Sequence, residues 1–206
     1  MSEELTDLIV EAIEVFLNHI LYLRDLYPQR IFIKRRFYNA PVYVSKFPAL
    51  NSYIKCALSA ARELQQRNNL QAVFLHFYQD ELGISEYYTF EIKRLQPAIE
   101  VKDQLDMEPA LLYDKFFIDF EEELRASLYK LAERLKMLNK LPKGAQFRII
   151  LNTTQEAFVR FSHISHYQDF PWLCNVFKEK AERNVTLLPL TCLDTLGLKL
   201  NLEQFN

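Results

Sequence analysis

The stretch "HILYLRDLYPQRIFIKRRFYNAPV", residues 19–42, changes its hydrophobic period halfway along. Upstream of it, apolar residues at Leu5, Leu8, Ile9, Ala12, Ile13, Phe16, Ile20 and Leu23 recur every three or four positions, while Val10, Val15, Leu17 and Leu21 fill much of the opposite side. This pattern predicts a helix over Glu3–Leu26 that is apolar nearly all round, as a helix buried in the middle of a domain is. Glu3 and Glu4 suit its N-terminal dipole, and Pro28 stops it. Past the proline, "RIFIKRRFYNAPVYVS" reads as short extended segments broken at Asn39 and Pro41. A central helix that feeds strands points to an α+β fold.

Working outward, a second helix opens at Pro48 and runs through "ALNSYIKCALSAARELQQR", with Leu50, Ile54, Ala57, Leu58, Ala61 and Leu64 on one face. "LQAVFLHFY" and "SEYYTFEIKRL", joined by "QDELGI", form a hairpin. A polar loop follows at 96–108, and Pro109 opens the longest helix, whose stripe is Leu112, Phe116, Phe120, Leu124, Leu128, Leu131, Leu135 and Leu138. "LPKG" ends it and "AQFRIILNT" is another strand. Beyond Thr154 the clearest signals are the strand-like pieces "NVTLLPLTC" and "LGLKLNL", too apolar for a disordered tail. The expectation is one domain over 1–206: three helices, a mainly antiparallel sheet, and a long C-terminal segment packed over it.

Composition narrows the chemistry. A chain of 206 residues, 50% hydrophobic and 25% charged, is long enough for a real core. Its three glycines, Gly83, Gly144 and Gly197, stand far apart, so no phosphate-cradling loop or dinucleotide turn can be built. The net charge of −2 supplies no global attraction to nucleic acid or to an anionic membrane, and neither is an expected direct partner. Cys56, Cys174 and Cys192 are odd in number and lack CxxC spacing, which argues against a disulfide framework or a zinc ribbon. An acidic N-terminus and the absence of a long apolar run leave a cytosolic or nuclear reading.

Catalytic signals are sparse. His163 and His166 form HxxH with Asp169 nearby, but nothing completes a zinc ligand set, and solvated loop histidines are the simpler reading. His19 and His76 read as packed or surface residues. No GxSxG or HExxH occurs, so neither an enzyme nor a cofactor or metal is expected. The basic cluster of Lys34, Arg35 and Arg36, with Arg30 upstream, has three readings: a nucleic-acid or nuclear-import patch, an edge strand charged against pairing, or a contact for an acidic partner.

The blocks "HILYLRDLYPQRIFIKRRFYNAPV", "PALNSYIKCAL" and "DFPWL", followed by "LLPL", together resemble the HORMA-domain family. Within it they are most similar to the Mad2-like branch that serves DNA polymerase zeta as an accessory subunit. The resemblance implies a core over 1–153 and a C-terminal "safety belt" over 154–206 that wraps a partner peptide. It implies a non-catalytic adaptor that traps a proline-containing segment of the polymerase's catalytic subunit and bridges to the C-terminal region of a scaffold translesion polymerase. Tyr27, Tyr53 and Trp172 match the family's aromatic contacts to the peptide, and Cys174 stands where a larger aliphatic is expected. The resemblance makes Trp172 a pocket wall on the belt, held by Pro171, with an ordinary core tryptophan as the alternative. Leu187, Pro189 and Asn201 match the surface for the second partner, where Glu203 replaces an expected aromatic. Lys34 and Arg125 match a HORMA–HORMA dimer interface, whereas Leu124 and Leu128 read as core. The alternative function is a cell-cycle regulator that inhibits the anaphase-promoting complex by binding its activators. The nucleus is the expected compartment, with the cytoplasm second.

Overall fold

The computed structural model describes residues 3–79, 84–93, 109–164 and 185–205. Helix α1, Glu3–Leu23, lies at the centre, with Ile9, Ile13, Phe16, Leu17, Ile20 and Leu21 at most 1% exposed. A helix apolar all round must be covered all round, and α1 is packed by α2 (Pro48–Gln66), by α3 (Pro109–Lys136) and by strand β2 (Ala40–Ser45). The helix stops three residues before the expected Leu26. Asp25 takes a positive φ of 53° and turns the chain ahead of Pro28.

The extended segments after Pro28 become β1 (Phe32–Phe37) and β2, paired antiparallel as a separate two-stranded sheet. Their turn, Tyr38-Asn39, holds both residues at positive φ, 40° and 53°, the two-residue geometry whose twist matches the flanking strands. Tyr38 then packs on Phe120 and Phe117 of α3, and Asn39 donates to Glu121 at 2.7 Å.

The main sheet is antiparallel, in the order β5-β3-β4-β7-β6. The expected hairpin is β3 (Leu70–Gln79) with β4 (Ile84–Ile92), and the strand after the long helix is β5 (Gln146–Thr153). The C-terminal pieces are β6 (Val185–Leu193) and β7 (Leu198–Phe205). They do not lie over the sheet but extend it: β7 pairs with β4 from Ile92↔Leu198 to Ser85↔Phe205. In this register Leu198, Leu200 and Leu202, all 1% exposed or less, fall on the helix-covered face.

Two further differences concern helices. The stripe of α3 is buried from Phe120 to Leu135, but Leu112 is 38% exposed, so the first turns run past the core. A fourth helix, α4 (Gln155–Ser162), follows β5 where no helix is expected. Thr154 caps it by accepting the Ala157 N–H at 3.3 Å, and Ala157 and Phe161, one turn apart, are its buried contacts.

Candidate functional site

Strand β5 ends the sheet on one side. Residues Phe147, Ile149 and Leu151 pair with Phe77, Leu75 and Val73. In an antiparallel pair the main-chain groups of alternate residues point away from the partner. The Ile149 N–H points outward, because it donates to the Tyr53 hydroxyl at 2.9 Å. By the same alternation, Phe147 and Leu151 also direct their main-chain groups to the outer edge. Among the described residues no strand pairs that edge.

An aromatic wall stands beside it. The Phe147 ring takes Tyr53 edge-on at 5.6 Å and Tyr27 edge-on at 6.1 Å, with Phe77 behind at 6.4 Å. Tyr53 comes from the first turns of α2, which Pro48 starts at its N-terminus, and its ring remains 43% exposed. Tyr27 comes from the turn before Pro28. Burial, and then the neighbouring Tyr53, push the Tyr27 hydroxyl above its ordinary pKa, so it stays a protonated donor across the physiological range. The expected Tyr27 and Tyr53 therefore meet, and Phe147 is the hub that sequence reasoning missed. Its only sequence signal is an aromatic at the second position of a strand, which has meaning only once the edge is known.

The opposite edge is β6. Leu187, 60% exposed, lies across from Glu203, and Pro189 lies across from Asn201. These four share the face turned away from the helices, since the alternate Leu190 and Leu202 are fully buried. Glu203 accepts a hydrogen bond from the Thr89 hydroxyl at 3.3 Å. The four expected second-partner residues are thus one contiguous surface.

A buried polar network ties this hairpin to the core. Arg24 donates to Glu86 at 2.9 Å and to the Asn139 carbonyl at 2.9 Å, and the pair's side chains are only 3% and 8% exposed. Gln204 of β7 donates to the same Glu86 at 3.0 Å, and the Tyr88 hydroxyl to its other oxygen at 3.2 Å. On the α3 side, Ser127 donates to the Cys192 carbonyl at 3.0 Å and accepts from Thr191 at 2.8 Å.

The remaining expectations fall as follows. Trp172, Cys174, His166 and Asp169 lie outside the described residues. His163 is exposed at the end of α4, and no group of three metal-ligating side chains occurs among the described residues. His19 is packed, 5% exposed, and burial lowers its pKa to about 4. Lys34 on β1 and Arg125 on α3 are both exposed, while Leu124 and Leu128 are buried. No described helix is long and apolar enough to cross a membrane.

Comparisons with known proteins bear on the same geometry. "DNA polymerase zeta subunit 2" of Drosophila melanogaster is 43% identical over 97% of this chain and 96% of its own length. "Mitotic spindle assembly checkpoint protein MAD2B" of Danio rerio is 30% identical over 98% of the chain and 92% of its own. Among solved structures, a chain of the "Crystal Structure of Mitotic Checkpoint Complex" shares the fold with a TM-score of 0.70 at 17% identity, covering 97% of both chains. C. elegans HTP-1 "bound to HIM-3 closure motif" does so with a TM-score of 0.60 at 15% identity, covering 98% of this chain and 89% of that one. The family model for the HORMA domain matches residues 6–158, from the central helix through β5 into α4, and the chain belongs to the HORMA-domain family.

Proposed function

We propose that this chain is a non-catalytic accessory subunit of DNA polymerase zeta. It takes an extended, proline-containing segment of the catalytic subunit as an added strand on β5, and it presents the outer face of β6–β7 to the C-terminal region of a scaffold translesion polymerase. The observation that carries this reading is the outer edge of β5, whose main-chain groups face away from the sheet beside the rings of Tyr27, Tyr53 and Phe147. Main-chain bonds to an edge give affinity, and flanking rings give choice. A proline-rich segment arrives already extended and packs well on aromatic faces.

Chain connectivity supports a belt over such a strand. The chain follows β5 into α4 and on to Ile164, and enters β6, at the opposite edge of the sheet, at Val185. Twenty residues connect them, with a reach of roughly 66 Å at about 3.3 Å per residue. The sheet is five strands wide, about 20 Å at roughly 4.8 Å per spacing, so the connection is long enough to enclose a ligand. It carries Trp172 and Cys174, the belt's share of the pocket in this reading. The Drosophila relative, 43% identical over nearly the whole chain and named for polymerase zeta, supports this branch of the family, and the reading implies a nuclear protein. A HORMA–HORMA contact through Lys34 and Arg125 belongs to the same proposal.

The test is a titration with a peptide of about 25 residues, ample for one strand and its flanks, from the proline-containing segment of the same organism's catalytic subunit. A saturable change in the fluorescence of Trp172, lost with Tyr53→Ala while the domain stays folded, is the expected result. Binding instead of a peptide from an activator of the anaphase-promoting complex, with none of the polymerase peptide, would move the chain to the checkpoint role.

A further inference from the structure

The basic segment on β1 lies outside the β5 edge and the β6–β7 face, and of its cations Lys34 alone enters the HORMA–HORMA contact proposed above. Between Asp25 and Glu63 the chain has no acidic residue at all, and residues 30–46 carry five cations: Arg30, Lys34, Arg35, Arg36 and Lys46. That segment holds +5 in a chain of net −2, so the rest of the molecule holds −7. The neutral balance of the whole chain conceals a segregated positive hairpin.

Ion pairs form elsewhere in the structure. Arg62 pairs with Asp7, Arg67 with Glu63 and Lys136 with Glu133. All five cations of the 30–46 segment are exposed, and none of them makes an ion pair among the described residues. Glu11 and Glu121 reach the hairpin only at its turn, where they bind Tyr38 and Asn39 rather than a cation. Protecting an edge from pairing takes one or two charges; three on β1 itself, on both of its faces, with Arg30 and Lys46 at its flanks, exceed that need.

We propose that the β1–β2 hairpin is a contact for the phosphodiester backbone of a nucleic acid. Lys34 and Arg36 lie on one face of β1, two residues or about 6.7 Å apart. Both side chains are long and flexible, so at this spacing both can meet phosphates of one backbone. Tyr43, directly across from Lys34 and stacked on Tyr22 at 3.6 Å, gives the strip a rigid aromatic floor. Arginine supplies three of the five charges, and its planar fork suits phosphate oxygens. Among the described residues no groove-reading helix or loop accompanies the strip, so the contact proposed here is to the backbone and not to the bases. The hairpin is a different sheet from the one that ends in β5, and its test does not depend on the peptide reading.

The experiment is fluorescence anisotropy of labelled 20-nucleotide single strands and 20-base-pair duplexes of mixed sequence with the full chain, from 50 to 200 mM salt. The expected Kd is between about 1 and 100 µM at the low end, with log Kobs falling at a slope of about −3 to −4.5 against log salt. The double variant Lys34→Ser, Arg36→Ser, which removes both cations from that face, should weaken binding at least ten-fold at 50 mM salt and flatten the slope by about 1.8 on the duplex and about 1.4 on the single strand, at about 0.9 and 0.7 for each phosphate no longer neutralised. The same variant should retain its thermal midpoint, since both side chains are exposed. The single-strand and duplex arms tell which form is taken, and tighter binding by either supports the proposal. Absent binding, an affinity unchanged in the variant, or equal affinity for a polyglutamate peptide of the same length would overturn it, the last in favour of an acidic protein segment.

Discussion

The two edges of the main sheet are guarded in different ways. On β6, Pro189 has no N–H to offer, and the β6–β7 register slips between Pro189 and Thr191, so the strand is both short of a donor and irregular. Proline and bulges are permanent obstacles to pairing. On β5 the central donor, the Ile149 N–H, is covered among the described residues only by the hydroxyl of the half-exposed Tyr53. A side chain can turn away where a proline cannot. The contrast assigns β5 to receive a strand and β6 to present side chains.

The largest effect should come from the link that holds the β6–β7 hairpin in place. Glu86→Ala leaves the Arg24 charge buried with only the Asn139 carbonyl as acceptor and removes the anchor of Gln204, at a cost of about 3–5 kcal/mol in urea unfolding. If the hairpin is anchored there, amide exchange in β7 should rise first.

Acid offers a control that favours neither edge. His19 is buried beneath β2, both ring nitrogens lack hydrogen-bond partners among the described residues, and its pKa is about 4 in the folded protein against 6.5 unfolded. A lowered folded pKa means that the unfolded chain binds more protons between these values. Stability present above pH 6.5 should therefore fall as the pH drops to about 4, by about 3 kcal/mol from this group. His19→Phe should flatten that part of the stability profile.

Next come two substitutions at Tyr53. Tyr53→Ala removes the ring and should weaken the polymerase-derived peptide about 30-fold, roughly 2 kcal/mol. Tyr53→Phe keeps the ring but leaves the Ile149 donor uncovered in the empty protein, which should make peptide binding about five-fold tighter, near 1 kcal/mol. Equal losses in both variants would mean that the hydroxyl contacts the ligand instead of guarding the edge. The smallest effect is Pro189→Thr, which restores a donor to β6: monomer stability should move by less than about 0.5 kcal/mol, while sedimentation should show new concentration-dependent association.

Periodic elements are legible in the sequence itself. The helices α1, α2 and α3 carry a repeat long enough to outweigh local noise, and β7 alternates cleanly through Leu198, Leu200 and Leu202. The eight-residue α4 buries a single apolar pair, Ala157 and Phe161, and its Thr154 cap resembles any other loop threonine. Tyr27 and Tyr53 are marked by resemblance, but the role of Phe147 depends on sheet order, which no local pattern encodes. The pairing of Arg24 with Glu86 joins residues 62 positions apart and is likewise invisible locally. Charge segregation around β1 is present in the letters, yet the whole-chain sum conceals it.

The most direct test of the assignment of the two edges is residue-resolved amide exchange with and without the polymerase-derived peptide. The account predicts that Phe147 and Leu151, open in the empty protein, become protected on binding, while Ile149 stays protected as its acceptor changes from Tyr53 to the ligand, and β6 is unaltered. Protection gained along β6 with none along β5 would contradict it.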